Sequence, residues 1–435
     1  MGRTRQQRDG RKGAEEQERQ RAWLVSAATG EMAPGLAEES LRELEALAQT
    51  AGAECAGRTV CRLRNIQPAT YIGKGKAEEI AERCRENGVD IVLFDDDLSP
   101  AQGVNLAGLV GVPVVDRTQL ILDIFAQRAR TVEGRLQVEL AQLQYALPRL
   151  RGLWTHLERQ KGGIGLKGPG EKQIELDRRR IGQRIHRIGE LLEDVRRHRA
   201  ELRHGRRRHG WVQVALVGYT NAGKSTLLNR LGAADVLADD LLFATLDPTT
   251  RAIELPNHQP CLLTDTVGFI RKLPHHLVEA FKATLEEVRE ADLLLHVIDC
   301  SHPFADEQIA AVEQVLADLG ASEKPVLAVL NKTDVERGWN QATRLADRFA
   351  RWVRISARTG EGVPRLLDEV ADALRGGMAR VSLRIPAGDG KGLARVFAGG
   401  HVLEQKFRAG YAYLEVAMPA ALAAGLPAEW IRRPR

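Results

Sequence analysis

A glycine-rich loop that ends in a lysine and a serine is the part of this sequence best suited to chemistry. In such a loop successive backbone N–H groups point inward at phosphate oxygens, and the helix that follows adds a partial positive charge. Lys224 would reach the β- and γ-phosphates, and the Ser225 hydroxyl would bind Mg²⁺. The loop comes directly after the apolar run 214–217 and has the pattern GxxxxGK[ST], made of Gly218, Tyr219, Thr220, Asn221, Ala222, Gly223, Lys224 and Ser225.

Two later patterns predict that the nucleotide base is guanine. The Asp334 carboxylate can accept hydrogen bonds from guanine N1–H and the exocyclic amine, whereas adenine would leave it buried and unpaired. The backbone N–H of Ala357 would face the guanine O6. An ordinary turn is the alternative for the first pattern in isolation, but its distance of about 110 residues from the phosphate loop favours a base site. The patterns are Asn331, Lys332, Thr333 and Asp334, and then Ser356, Ala357 and Arg358.

Two segments between these patterns could sense the γ-phosphate. Asp265 would hold Mg²⁺ through water, and the Gly268 N–H would contact the γ-phosphate, at the end of the apolar run 260–264. The polar loop before it is typical of a segment that changes shape with the nucleotide. One of its threonines should bind Mg²⁺; we favour Thr245, and leave Thr249 and Thr250 open. The segments are Asp265, Thr266, Val267 and Gly268, and Phe243, Ala244, Thr245, Leu246 and Asp247.

The residue after Gly268 is Phe269, where Ras-like enzymes carry a water-orienting glutamine at or near the same point. A phenylalanine side chain cannot orient water. The attacking water must therefore be positioned by another residue, by the backbone or by a partner. We expect slow hydrolysis by the chain alone, with Lys224, Thr245 and Gly268 as its catalytic groups. Replacing Phe269 by alanine should change mainly turnover.

Composition indicates a globular protein of about three domains in a reducing, cytoplasmic compartment. The chain has 435 residues, a net charge of +5 and five cysteines. The cysteines lack the spacing of a zinc site, and Cys261 and Cys300 lie in apolar runs that predict core packing. The first 22 residues are charged, without the apolar core of a secretion signal, and predict a mobile tail. No apolar run is long enough to span a membrane.

Positive charge is concentrated in residues 148–210, which hold 18 Lys and Arg against 8 Asp and Glu. Two heptad-like series of apolar residues, which together form the predicted seam, run from Leu136 to Leu157 and from Ile174 to Leu202 on either side of a glycine-rich stretch at 162–171. They predict an antiparallel helical hairpin with a flexible tip that carries Lys167. A solvated face is the usual explanation of such charge. A long basic rod is, however, suited to phosphate-lined clefts in RNA. Its second helix would expose Arg178, Arg179, Arg180, Arg184 and Arg187.

The predicted fold class is α/β. A P-loop GTPase domain (210–376) is preceded by a small α/β subdomain (23–130) with the long hairpin (131–209), and is followed by a small α/β domain (377–435). In the subdomain, Asp95–Asp97 could suggest a metal, but the Ser99-Pro100 pair favours a strand end before a helix start. In the last domain we predict strands at 381–385 and 411–416 and a helix at 392–406.

These motifs resemble the HflX family of translational GTPases over nearly the whole chain. The resemblance rests on the 162–171 loop with the Glu-Leu-Asp-Arg-Arg-Arg run 175–180, and on the segments 243–248 and 265–271. It implies a GTPase that binds the large ribosomal subunit and its RNA and can split or rescue ribosomes, with Mg²⁺ on Ser225 and Thr245. We expect a monomer without a DNA partner. The alternative is a GTP-dependent switch that acts on a protein or membrane partner through the hairpin.

Overall fold

The computed structural model describes residues 20–30, 35–158, 169–208, 211–232, 242–243, 246–257, 259–272, 285–374 and 378–432. They form two compact units, one up to Ile121 and one from Leu122. Residues 162–168 of the predicted hairpin tip, Ala244 and Thr245, and most of the predicted tail lie outside the described residues, whereas residues 169–171 of the predicted tip are helical. No helix in the described part of the chain is long and apolar enough to cross a membrane.

The N-terminal unit is built on a parallel sheet of order β2-β1-β3-β4. The first strand, which the sequence analysis did not predict, is central in this sheet. Its residues 22–27 are all buried, so the strand lacks the apolar–polar alternation that identifies a half-buried strand. The elements are β1 (Arg21–Thr29), α1 (Leu36–Thr50), β2 (Glu54–Leu63), α2 (Lys74–Glu86), β3 (Ile91–Phe94), α3 (Pro100–Val110), β4 (Val114–Asp116) and α4 (Arg117–Arg128), the last of which crosses the unit boundary.

The start of α3 confirms the interpretation of the acidic run before it. Ser99 caps the helix by accepting a hydrogen bond from the Gln102 N–H at 3.2 Å, while the Gln102 side chain accepts one from the Ser99 N–H at 2.9 Å. Pro100 occupies the first turn, where its missing N–H costs nothing. The acidic residues therefore follow β3 and precede a capped helix, as predicted.

Two long helices form the predicted hairpin, α5 (Val132–Glu158) and α6 (Pro169–Arg208). Their direction is antiparallel, because Glu133 near the start of α5 pairs with Arg199 of α6, while Glu139 pairs with Arg184. Of the predicted seam, Ile188 and Leu192 are buried, whereas Leu136, Leu140, Leu143, Leu147, Leu150, Ile181, Ile185 and Val195 are half-buried. The five predicted arginines of α6 are exposed.

The GTPase domain has a six-stranded sheet of order β10-β9-β8-β5-β7-β6 in which only β6 is antiparallel. Cys261 and Cys300 are fully buried in the cores on its two faces, as predicted. The described elements are β5 (Val212–Gly218), α7 (Lys224–Leu231), β6 (Thr249–Glu254), β7 (Pro260–Asp265), α8 (Glu286–Glu290), β8 (Leu293–Asp299), α9 (Ala305–Asp318), β9 (Val326–Asn331), α10 (Glu336–Ala346), β10 (Trp352–Arg354) and α11 (Val363–Ala373).

The last domain is a four-stranded antiparallel sheet of order β12-β13-β11-β14 with its own core. The predicted helix 392–406 is wrong in its second half. The helix ends at Gly399, and the next residue, Gly400, lies too close to Val416 for any side chain, so the chain turns into a strand there. The elements are β11 (Met378–Pro386), α12 (Gly390–Gly399), β12 (His401–Arg408), β13 (Tyr411–Pro419), α13 (Ala420–Ala424), a 3-10 turn (Ala428–Trp430) and β14 (Ile431–Arg432).

Candidate functional site

Four loops meet at the carboxyl edge of the GTPase sheet, where β5, β7, β9 and β10 end. Ligands of open α/β sheets bind at this edge. The Asn331 side chain joins two of the loops, because its Nδ2 donates to the Ala222 carbonyl at 2.8 Å and its Oδ1 accepts from the Ala357 N–H at 2.9 Å. The structure therefore brings together the predicted segments 218–225, 265–268, 331–334 and 356–358.

The phosphate loop presents its lysine to backbone oxygens. Lys224 is the first residue of α7, and its Nζ donates to the carbonyls of Gly218 at 3.1 Å and Tyr219 at 2.8 Å. Burial lowers the pKa of Lys224 to about 8, although the charge of Asp265 acts in the opposite direction. A buried cation whose described partners are neutral carbonyls is suited to an anionic ligand, since a phosphate would compensate its charge.

The oxygens of Ser225 and Asp265 form a pair that fits Mg²⁺. Ser225 Oγ donates to Asp265 Oδ2 at 2.8 Å. Mg²⁺ prefers such hard oxygen ligands, completed by water and phosphate oxygens. Of the threonines left open, Thr250 shares its hydroxyl with Thr264 at 2.9 Å, and Thr249 lies in β6 opposite Asp265.

Gly268 lies closer to the phosphate loop than any other residue type could. A Cβ at this position would be 2.8 Å from Thr220 Cγ2 and 3.1 Å from Lys224 Nζ. The backbone of the next residue is bonded to the same loop, since the Thr220 N–H donates to the Phe269 carbonyl at 2.7 Å and the Phe269 N–H donates to the Gly218 carbonyl at 3.1 Å. The segment that would sense the γ-phosphate is thus aligned along the phosphate loop.

The Phe269 ring is packed in the protein core, with 1% of the residue exposed. It offers no polar group to a water molecule. Its removal would also leave a cavity that costs about 3–5 kcal/mol. An alanine at this position should therefore lower stability as well as change turnover.

Asp334 is the acidic residue of the predicted guanine-binding loop 331–334, and its contacts stabilise it as a carboxylate. Asp334 Oδ1 accepts from Ser356 Oγ at 2.8 Å, and Oδ2 pairs with Arg358. Burial opposes ionisation of Asp334, but the hydrogen bond from Ser356 and the charge of Arg358 outweigh it and keep its pKa below the usual range. The carboxylate could accept from two guanine donors.

The residues around this carboxylate are fixed by further contacts. Thr333 Oγ1 donates to the Ile355 carbonyl at 2.9 Å, and Lys332, with a positive φ of 62°, pairs with Asp299 at 2.7 Å. Because the Ala357 N–H already donates to Asn331, a guanine O6 would have to share that donor.

The loop before β6 contacts the residues just before α5, where the helical hairpin begins. Sequence reasoning missed this contact. Asp247 accepts hydrogen bonds from the Arg130 N–H at 2.9 Å, from the Thr131 N–H at 3.0 Å and from the Thr131 hydroxyl at 2.5 Å. Thr131 in turn accepts from the Gly134 N–H in the first turn of α5. The sequence carries no signal of this link, because its partners are 116 residues apart.

An aromatic contact strengthens the same link. Phe243 packs edge-on against Phe125 of α4 with ring centroids 4.7 Å apart, and Leu246 is buried. The loop that the sequence predicts to respond to the nucleotide therefore touches the segment that leads into the hairpin.

Three family models match the chain: GTP-binding GTPase N-terminal over residues 38–126, GTP-binding GTPase Middle Region over 128–206 and 50S ribosome-binding GTPase over 213–332. A GTPase HflX of Lacrimispora saccharolytica is 51% identical over 82% of this chain and 83% of its own length. One from Magnetococcus marinus is 47% identical over 94% and 95%.

A crystal structure of a GTP-binding protein from Sulfolobus solfataricus in complex with GDP covers 82% of this chain and 99% of its own, at 24% identity and a TM-score of 0.43. The sequence identity to the two HflX relatives establishes the family. With 51% and 47% identity over most of its length, the chain belongs to the HflX family of GTPases, and it binds and hydrolyses GTP.

Proposed function

We propose that this GTPase acts in the cytoplasm, as a monomer, on the large ribosomal subunit and its RNA, and that it splits or rescues ribosomes. The observation that carries the proposal is the basic hairpin. The description of one matching family model as a 50S ribosome-binding GTPase supports the choice of partner.

The described part of α6 presents more positive charge than its own acidic residues neutralise. Arg178, Arg179 and Arg187 are exposed and have no acidic partner among the described residues, whereas Arg184 is engaged by Glu139. Surface arginines of this kind bind phosphates by releasing counterions. A rod of two helices can carry that charge into a cleft of folded RNA.

In the nucleotide site, the N–H groups of 218–225 and the Lys224 ammonium would hold the phosphates, and Asp334 with the Ala357 N–H would hold guanine. Mg²⁺, bound by Ser225, by Thr245 and through water by Asp265, would neutralise charge on the β- and γ-phosphates. The Gly268 N–H would contact the γ-phosphate. The contact between Ser225 and Asp265 and the closeness of Gly268 to Lys224 support these roles.

The buried Phe269 ring offers no polar group to the attacking water, and a partner is one of the ways in which that water could be positioned. We therefore propose that the large subunit stimulates hydrolysis. The Asp247 contacts at the base of α5 offer a path by which an event at the hairpin could reach the loop that carries Thr245.

Co-sedimentation with purified large subunits tests the proposal. With a non-hydrolysable GTP analogue the chain should pellet with the subunits, and binding should weaken steeply with salt. Arg178→Glu with Arg179→Glu should abolish most of the binding. Arg365→Glu, an exposed arginine on α11, is the matched control and should bind normally. Binding that is equal in both variants would contradict the proposal.

A deletion tests the tip, of which residues 162–168 lie outside the described part of the chain. Removal of residues 162–170 with a closed turn should leave GTP binding and intrinsic hydrolysis unchanged and should abolish ribosome splitting. Weak, salt-sensitive subunit binding through α6 should remain. Full splitting by the deletion variant would show that the tip is only a connector.

A further inference from the structure

The C-terminal domain has one covered and one open sheet face. Its elements follow the order β-α-β-β-α-β, with the strand order β12-β13-β11-β14 of a split β-α-β sheet. The covered face supplies the core, including Leu383, Ile385, Leu414 and Val416, which packs with residues of α12 and of the segment 422–430. The strand residues that alternate with these core positions are exposed or half-buried and form the open face.

The register of the strands shows what the open face carries. Residues directly opposite each other in an antiparallel pair share a face. Tyr411 and Tyr413 are half-buried and alternate with the buried core positions of β13, so their rings lie on the open face. Their neighbours there are Arg380, Ser382 and Arg384 of β11, Glu404, Lys406 and Arg408 of β12, Glu415 of β13 and Arg432 of β14.

The open face is positively charged beyond its internal ion pairs. Arg380 pairs with Glu415 at 2.8 Å, and Lys406 pairs with Glu404. Arg384, Arg408 and Arg432 remain, and none of them has an acidic partner among the described residues. The excess charge is complementary to phosphate.

Two of these arginines lie against the tyrosine rings. Arg384 Cζ is 3.8 Å from the Tyr411 ring centroid, and Arg432 Cζ is 5.4 Å from that of Tyr413. Unpaired bases stack on aromatic rings and on guanidinium planes alike. The face therefore offers π-surfaces and cations side by side, which a surface that merely keeps the protein soluble does not need.

The sequence of β13 agrees with a base-stacking strand. The segment 410–416 reads Gly-Tyr-Ala-Tyr-Leu-Glu-Val, close to the pattern Gly-(Phe/Tyr)-(Gly/Ala)-Phe-Val-x-(Phe/Tyr) by which sheet-based RNA-binding domains are identified. The two aromatic positions that face outward are kept. The departures are Ala409 where a basic residue stands first, with Arg408 one residue earlier, Tyr413 in place of Phe, Leu414 in place of Val, and Val416 in place of the last aromatic residue.

We propose that the open face of the C-terminal sheet binds a single-stranded RNA segment, with bases stacked on Tyr411, Tyr413 and the Arg384 guanidinium and with phosphates held by Arg408 and Arg432. It is a second RNA site, on a different domain from the hairpin. Only the choice of RNA over DNA rests on the proposed function.

Fluorescence anisotropy of the full chain with a labelled uridine oligonucleotide of about ten residues tests this site. The measurement uses the Arg178→Glu, Arg179→Glu background, which removes hairpin charge. Tyr411→Ala with Tyr413→Ala should weaken binding about 5- to 150-fold for each base that stacks. Tyr411→Phe with Tyr413→Phe keeps the rings and should bind within about two-fold of the parent. Unchanged affinity in the alanine variant would overturn the site.

A second variant and a second readout guard against loss of folding. Arg384→Gln with Arg432→Gln alters only exposed side chains and should reduce both the affinity and its salt dependence. A photoreactive 4-thiouridine oligonucleotide should crosslink within β13. Crosslinks confined to the hairpin would overturn the proposal, as would an oligonucleotide affinity that neither the Tyr→Ala pair nor the Arg→Gln pair changes. Either failure can occur while GTP-dependent subunit binding through the hairpin persists.

Discussion

Two sheets in this chain, one parallel and one parallel except for β6, carry charged residues at their carboxyl edges, and the two edges differ in the partners of those charges. In the N-terminal sheet Asp95 and Arg117 are almost wholly buried, and Arg117 pairs with Asp95 at 2.6 Å and with Glu43 at 3.1 Å. Thr118 donates to Asp97, so a second acidic residue is also engaged. This edge neutralises its charges within the protein.

At the carboxyl edge of the GTPase sheet, the buried cation is Lys224, and its charge is suited to an anionic ligand. Lys224 is also buried, but its described hydrogen bonds go to carbonyls, and burial lowers its pKa to about 8. The comparison teaches that charge at the carboxyl edge of a parallel sheet does not by itself indicate a binding site. What distinguishes the site is a buried charge whose full compensation requires an anion from outside.

The largest effect should come from breaking the N-terminal ion pair. Arg117→Met would leave the Asp95 carboxylate buried without its cation, and should destabilise the N-terminal unit by about 3–5 kcal/mol. Hydrogen exchange of the β1 and β3 amides would measure the loss. Arg42→Met is the matched control in the same unit, because the Arg42 side chain, which pairs with Glu39, is 64% exposed, and it should change stability by less than about 1 kcal/mol.

GTP affinity should be unchanged in the folded Arg117→Met protein. A lower affinity at a temperature where both variants are folded would mean that the N-terminal edge serves the nucleotide, and the contrast between the two edges would fail.

The next largest effect should come from the predicted guanine-binding loop 331–334. Asp334→Asn removes a carboxylate that would accept two hydrogen bonds, and should weaken GTP binding by about 2–4 kcal/mol. Xanthosine triphosphate should bind better, because the amide can pair with the oxygen that replaces the guanine amine. Calorimetry with both nucleotides gives the answer. Unchanged affinity for both would remove Asp334 from the site.

The control for this substitution is Arg358→Gln. It removes the ion-pair partner of Asp334 but keeps the carboxylate, and the Arg358 side chain is 76% exposed. Its effect on GTP affinity should stay below about 1 kcal/mol. An equal loss in both variants would show that Asp334 acts by holding the loop and not by pairing with guanine.

The pH dependence of GTP binding should reveal the buried lysine. The phosphates need the charged form of Lys224, whose pKa in the free protein is lowered to about 8. Affinity should therefore be flat below this pH and should fall as pH rises through it, by at most about ten-fold per unit. Calorimetry between about pH 7 and 9 in buffers of different ionisation enthalpy should detect proton uptake on binding.

Lys224→Arg is the control for the pH profile, because a guanidinium stays charged throughout this range. Its absolute affinity should be lower, since the guanidinium does not fit the loop, but the decline above pH 8 should disappear. A wild-type GTP affinity that does not change with pH would contradict the assignment of Lys224 as the cation that binds the phosphates.

The smallest effect should come from the link between the loop before β6 and α5. Asp247→Asn weakens the hydrogen bonds to the Arg130 and Thr131 N–H groups, and Thr131→Val removes the hydroxyl partner. A double-mutant cycle on unfolding free energy should give a coupling of about 1 kcal/mol. Asp247→Asn should also reduce stimulation of hydrolysis by subunits while intrinsic turnover persists. A coupling energy of zero would show that the contact is incidental.

Sequence reasoning identified four segments that the structure brings together at one edge of the sheet, because each is a short motif next to an apolar strand. It missed β1, since a strand buried on both faces has no alternation, and it extended a helix through β12, where packing of Gly400 against Val416 stops it. The Asp247 link could not be predicted, because contacts between residues far apart in the chain depend on tertiary packing. The placement of Thr245 stays a prediction.

The central claim is that the large ribosomal subunit stimulates GTP hydrolysis by this protein, which has a phenylalanine and no polar residue at position 269. GTP turnover with and without purified large subunits, in the wild type and in the Arg178→Glu, Arg179→Glu variant, tests it most directly. We predict slow turnover by either protein alone, and a several-fold or larger rise on addition of subunits for the wild type only. Fast turnover by the wild type alone, with no response to subunits, would contradict the claim.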